Sequence, residues 1–148
     1  ETTQIKGVDS TVRTTKATLG PAATLIIKEK VMTHGKQLAK SDFTVDLNGE
    51  DCHTNVISRS VAREDSKQVF MARINGNTRC TGHSECDAII MDKGVVSAIP
   101  ELTANDIDAA LIHEAAIGKI AGEQLIKLMT LGLTSEEAEA KIVEGFLK

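Results

Sequence analysis

The chain has 148 residues, enough for one domain or one domain with a small appendage. Seventeen Lys and Arg against twenty-one Asp and Glu give a net charge of −4, and no basic run stands out, which argues against a nucleic-acid partner. No apolar run is long enough for a membrane span and no secretory signal is visible, while a first residue of Glu rather than Met points to part of a longer protein.

Trp and Tyr are absent, and Phe occurs only at 43, 70 and 146. The core must therefore be built from Ile, Val, Leu and Ala rather than from large aromatic areas. Stacked flat coils can do this, because each coil buries small aliphatics against its neighbours. The cysteines, Cys52, Cys80 and Cys86, form an odd and sparse set. That argues against a disulfide framework and fits a reducing compartment, the cytoplasm.

Residues 1–100 read as short extended runs separated by turns. Thr24–Lys28 is the first, and Phe43–Leu47 alternates with Phe43, Val45 and Leu47 on one face. Asn55–Val61, Gln68–Ile74, Cys86–Met91 and Val95–Ile99 follow. Asn48-Gly49, Asn75-Gly76 and Lys93-Gly94 read as turns. No segment between the runs carries a helical period, which argues against βαβ units, and no strict repeat is visible. An all-β sandwich would share these features; the shortage of aromatics favours a β-solenoid.

After residue 112 the period changes. Lys119–Leu131 places Ile120, Leu125, Leu128 and Met129 close to one helical face, and Gly132 suits the position after a helix end. Thr134 with Glu137 makes a capping box, and the helix that follows presents Ala138, Ile142, Val143 and Phe146 on one side. The expected division is a β core over residues 1–112 and a C-terminal helical region over 113–148. One side of the helical hairpin is expected to pack on the end of the β region, leaving another for a partner.

Cys86 shares a strand face with Ala88 and Ile90, opposite Asp87, Ile89 and Met91. Both faces are apolar beyond the first pair, which suggests contact with another chain. Cys86 itself reads either as a small buried hydrophobe or as a thiolate for iron or sulfur. His113-Glu114 lacks the second His of the zinc-protease motif, since position 117 is Ile. Alone the pair reads as a capped or solvated helix start; with Cys86 it offers thiolate, imidazole and carboxylate, a set that suits iron. There is no phosphate-binding glycine loop and no Gly-x-Ser-x-Gly elbow.

The run Glu85-Cys-Asp-Ala-Ile-Ile-Met-Asp, the His113-Glu-Ala-Ala-Ile-Gly-Lys-Ile segment, Gly122-Glu-Gln-Leu, and Gly132-Leu-Thr-Ser-Glu-Glu-Ala followed by Ile142-Val-Glu-Gly-Phe resemble the SufB/SufD proteins of iron–sulfur cluster assembly. The match is specific over residues 80–148 and weaker at Asn55–Ala62. The resemblance implies a right-handed parallel β-helix with a C-terminal helical hairpin. It implies a non-enzymatic scaffold that forms a transient iron–sulfur cluster at a dimer interface and works with a SufC-type ATPase, docked on the C-terminal helices, and with a sulfur donor protein. It also carries the roles of cluster ligands onto Cys86, Glu114 and His113, the last from the SufD side of the family. Because SufB-like and SufD-like positions occur together, a homodimer is expected, with a heterodimer with a paralogue as the alternative. The chain departs from SufB proteins in lacking a Cys just after Asp92-Lys93, where Gly94 and Val95 stand. Two other readings compete: a metal-dependent enzyme on a β-solenoid, and a module that recruits the ATPase without a cluster of its own.

Overall fold

In the computed structural model, which describes residues 7–148, eight strands precede two helices. β1 (Ser10–Leu19), β3 (Leu38–Leu47), β5 (Lys67–Gly76) and β7 (Val95–Ala104) form one sheet in that order. β2 (Thr24–Thr33), β4 (Cys52–Ala62), β6 (Cys80–Ile90) and β8 (Ala109–Gly118) form the other. All pairings are parallel, and each strand pairs with the strand two places on in sequence. The chain therefore winds as a β-solenoid whose successive coils each add one strand to each sheet. The expected fold class, mainly β with a C-terminal helical pair, is the one observed.

Ser10 pairs with Leu38, Leu38 with Lys67 and Lys67 with Val95, so a coil takes 28 or 29 residues. The alternation of strands puts every second residue into the lumen. In β3, Ala39, Ser41, Phe43, Val45 and Leu47 are buried while the residues between them are half-exposed. Phe43 and Phe70 are the aromatics of the core, tilted at 52° with centroids 6.0 Å apart. The rest is aliphatic, as the composition requires. Part of the lumen is polar: the buried Glu29 carboxylate accepts from Ser58 Oγ at 3.0 Å and from Ser41 Oγ.

The corners repeat as the strands do. Gly35, Glu64 and Asp92 all take left-handed backbone, one in each successive coil at the same corner. Asparagines form a ladder at another: Asn77 Nδ2 donates to Asn48 Oδ1, and Asn105 Nδ2 to Asn77 Oδ1, both at 2.7 Å. Asn48, Asn77 and Asn105 thus mark the coil period in the sequence.

Three expectations need correction. Asn75-Gly76 is not a turn but the end of β5, where Asn75 donates to Asp46 Oδ1 at 2.7 Å and the bend comes later, at Thr78 and Arg79. β1 has no counterpart among the expected runs. The strand-to-helix change does not fall at 112, because β8 continues to Gly118 and α1 (Gly122–Thr130) begins only after it. His113 and Glu114 thus stand inside a strand and not at a helix start; pairing with β6 overrides the helix propensity of an Ala-rich segment.

α2 (Ser135–Phe146) carries the expected capping box, with Glu137 N–H donating to Thr134 Oγ1 at 3.2 Å and Thr134 N–H to Glu137 Oε2 at 2.8 Å. Gly132 has φ 95°, the left-handed position after a helix end. α2 buries Ala138 and Val143, whereas α1 buries no residue. Lys30 Nζ donates to the main-chain oxygen of Lys148 at 2.6 Å, which brings the end of α2 to β2. Lys30 lies on the outer face of its sheet. On that face Val61 breaks the alternation of β4 and is fully buried.

Candidate functional site

The last two coils carry the expected site residues. Cys86 sits in β6, a strand paired on both sides, and its even-numbered position points it into the lumen with Ser84 and Ala88. The register sets Glu29, Ser58, Cys86 and Ala115 side by side across the sheet. The thiol is fully buried. Burial pushes its pKa up to about 11, and the negative charges of Asp87 and Glu29 push the same way. At neutral pH it is therefore a thiol, and binding to a metal must expel its proton.

His113 faces the same lumen from β8, directly opposite Ser84 and one inward position along from Cys86. Ser84 Oγ and His113 Nδ1 are both buried and have no hydrogen-bond partner among the described residues. Each such group costs about 1–3 kcal/mol if nothing satisfies it. An unpartnered hydroxyl and imidazole nitrogen thus share one inner surface with a buried thiol, a donor set that can take a metal ion or a sulfur species. The structure brings Cys86 and His113 to one face.

Glu114 is elsewhere. As the next residue of β8 it points out of the solenoid, with its side chain 69% exposed. There its Oε2 lies 3.5 Å from His83 Nε2 and its backbone pairs with that of Glu85. Single ligand atoms of His83, Glu85 and Glu114 all lie within 4.8 Å of one another. His83 Nδ1 lies 3.1 Å from Asn55 Oδ1, and Arg59 Nη2 lies 3.9 Å from Glu85 Oε1. The sheet itself separates this outer group from Cys86. Reading the sequence locally missed the grouping of His83 and Glu85 with Glu114. The coil period would have found it, since residue 114 follows residue 85 by one coil and 83 shares the face of 85.

Cys52 and Cys80 are also free, buried and inward-facing, and they pair with each other in register. Burial pushes the Cys80 thiol up as well. Cys80 lies six residues along β6 from Cys86, about 20 Å at the usual strand rise.

The fold and these side chains define the class: a parallel β-solenoid with Cys, His and Glu side chains of metal-binding type on the two faces of its last coils. A family model described as SUF system FeS cluster assembly, SufBD core domain, matches residues 2–146. The chain is 35% identical over 128 residues to an iron–sulfur cluster assembly SufBD family protein of Archaeoglobus fulgidus, covering 85% of this chain and 34% of the relative. It is 36% identical over 125 residues to one from Methanocaldococcus jannaschii, covering 84% and 37%. It is 31% identical over 99 residues to the iron–sulfur cluster assembly protein SufB of Bacillus subtilis, covering 64% and 21%. The chain belongs to the SufBD core family of the SUF system for iron–sulfur cluster assembly. It spans about a third of the length of the archaeal relatives. Among the described residues no helix is long and apolar enough to cross a membrane.

Proposed function

We propose that the chain is a non-enzymatic scaffold piece, working in the cytoplasm, on which a nascent iron–sulfur cluster forms as cargo. Cys86 supplies the thiolate, and His113, on the same inner surface, is an exchangeable ligand or a group that holds and tunes it, whereas Glu114, on the outer face, is not a ligand to the same cluster. A cluster held by four thiolates would be hard to hand on, whereas an imidazole position releases more readily.

The observation that carries this reading is the open end of the solenoid beside Cys86. β7 and β8 are the last strands of their sheets, so each has an unpaired edge. The lumen-facing residues of β8 remain partly uncovered, and Ile117 is 41% exposed. Cys86 is one strand away from that end. A second copy of the chain, or a paralogue, covering it would complete the ligand set from both sides and close the edges that otherwise invite indiscriminate pairing. α1 exposes Ile126 and Met129, and its C-cap Leu131 is exposed as well, which supports docking of a SufC-type ATPase on the C-terminal helices. Sulfur comes from a separate donor protein.

Anaerobic reconstitution with ferrous iron and sulfide tests the proposal. The expected result is a thiolate-to-iron charge-transfer band with matching iron and sulfide content, lost in Cys86→Ser and retained in Cys52→Ser. Wild-type cluster content in Cys86→Ser would overturn it. A single ion bound without sulfide would favour a metal-dependent enzyme, and no metal at all an ATPase-recruiting module.

A further inference from the structure

We propose that His83, Glu85 and Glu114 form a binding site for one divalent first-row metal ion on the outer face of the second sheet, distinct from Cys86. The strand geometry builds it. His83 and Glu85 are two residues apart on β6 and so share a face, and Glu114 stands across the strand gap in register with Glu85. The side chains converge until one ligand atom from each lies within 4.8 Å of the others.

Two observations separate this group from an ordinary surface ion pair. The first is charge. Glu85 and Glu114 are directly opposite on neighbouring strands, an arrangement that is destabilising for like charges. Arg59, whose Nη2 lies 3.9 Å from Glu85 Oε1, is itself 42% exposed, so its compensation is weak. A dication among the three side chains would neutralise both carboxylates. The second is the orientation of the imidazole. Asn55 Oδ1 accepts from His83 Nδ1 at 3.1 Å, which holds the ring with Nε2 turned toward the carboxylates. A metal-ligating His is ordinarily fixed in this way through its other nitrogen.

One nitrogen and two carboxylate oxygens suit iron, manganese or zinc and leave the remaining positions open to water or exchange. This donor set contains no sulfur, so the ion here would be held before or apart from thiolate chemistry. Only the choice of ferrous iron as the relevant metal rests on the cluster-assembly reading. With that choice, the site is a place where iron waits on the same sheet that carries Cys86 on its other face.

The test is anaerobic calorimetric titration of the purified protein with ferrous iron alone, without sulfide, repeated with cobalt(II) as a spectroscopic probe. The expected result is one ion per chain, with weak visible cobalt bands and no thiolate charge-transfer band. Glu85→Gln and His83→Gln should weaken binding about ten-fold or more, and Asn55→Ala, which touches no metal, should weaken it through the imidazole. Cys86→Ser should leave it unchanged. All these outer side chains are solvent-accessible, and far-UV dichroism confirms that each variant is folded. Absence of binding into the millimolar range would reduce the group to a His83–Glu114 ion pair and overturn the proposal. So would binding indifferent to Glu85→Gln and His83→Gln, or binding abolished by Cys86→Ser. Loss of this site with cluster formation intact in the wild type would leave the scaffold reading standing.

Discussion

The burial of Cys86 makes the stability of the protein depend on pH in a calculable way. The thiol pKa is raised from an ordinary 9.0 to about 11 in the folded state. Below about pH 8 the residue is protonated whether the chain is folded or not, and it contributes no slope. Between 9 and 11 the unfolded chain gives up the proton while the folded chain keeps it, so rising pH favours unfolding. The loss amounts to about 2 kcal/mol by pH 10.5 and approaches about 3 kcal/mol above 11, at about 1.36 kcal/mol per pKa unit. Cys86→Ala removes this contribution. Lysines titrate in the same range and Cys80 is raised too, but both are common to the two proteins and cancel in the difference. The chain has neither Trp nor Tyr, so urea unfolding is followed by far-UV dichroism, and no tyrosine titration intrudes. Wild type should lose about 2 kcal/mol more than Cys86→Ala between pH 8 and pH 10.5. Parallel pH profiles for the two proteins would refute the assignment of a buried, neutral thiol.

Two further outcomes follow from the same geometry. In Gly94→Ala the new Cβ would sit 2.5 Å from the Ala62 carbonyl oxygen, which already accepts from Met91 N–H at 2.9 Å, so the corner after β6 must shift. A loss of about 1–3 kcal/mol is expected in urea unfolding, with weaker cluster retention because the corner anchors the end of β6. Ile117→Lys places a charge on the uncovered face of β8. In sedimentation velocity it should move the protein toward monomer, with the fold unchanged by far-UV dichroism.

What the sequence disclosed depended on how far each signal reached. β3, β5 and β6 were legible because alternation is a local property: Phe43, Val45 and Leu47 face the core one by one. α2 was legible for the same reason, since its capping box spans four residues. β1 escaped because Thr and Lys fill positions that the end of the solenoid leaves exposed. β8 escaped because an Ala-rich segment has helix propensity, and only its pairing with β6 makes it a strand. Of the candidate residues, the sequence drew Cys86, His113 and Glu114 together by resemblance. It does not disclose that His113 and Glu114 face opposite ways, because the segment has the local pattern of a helix start. His83 and Glu85 acquire their relation to Glu114 only through a coil of 29 residues, far beyond any local window.

The asparagine ladder has a consequence for how such a chain can change length. Each rung joins equivalent positions in neighbouring coils, so the rungs repeat at the strand spacing, about 4.8 Å. A duplicated or deleted segment of one full period would leave every remaining rung with an equivalent partner. Fragments of a period would misalign the rungs, the left-handed corners and the inward faces at once. Length is thus quantised: the distance from Cys86 to anything on an earlier coil can be altered only in whole steps, and the coil serves as a ruler for spacing the thiol from whatever lies upstream.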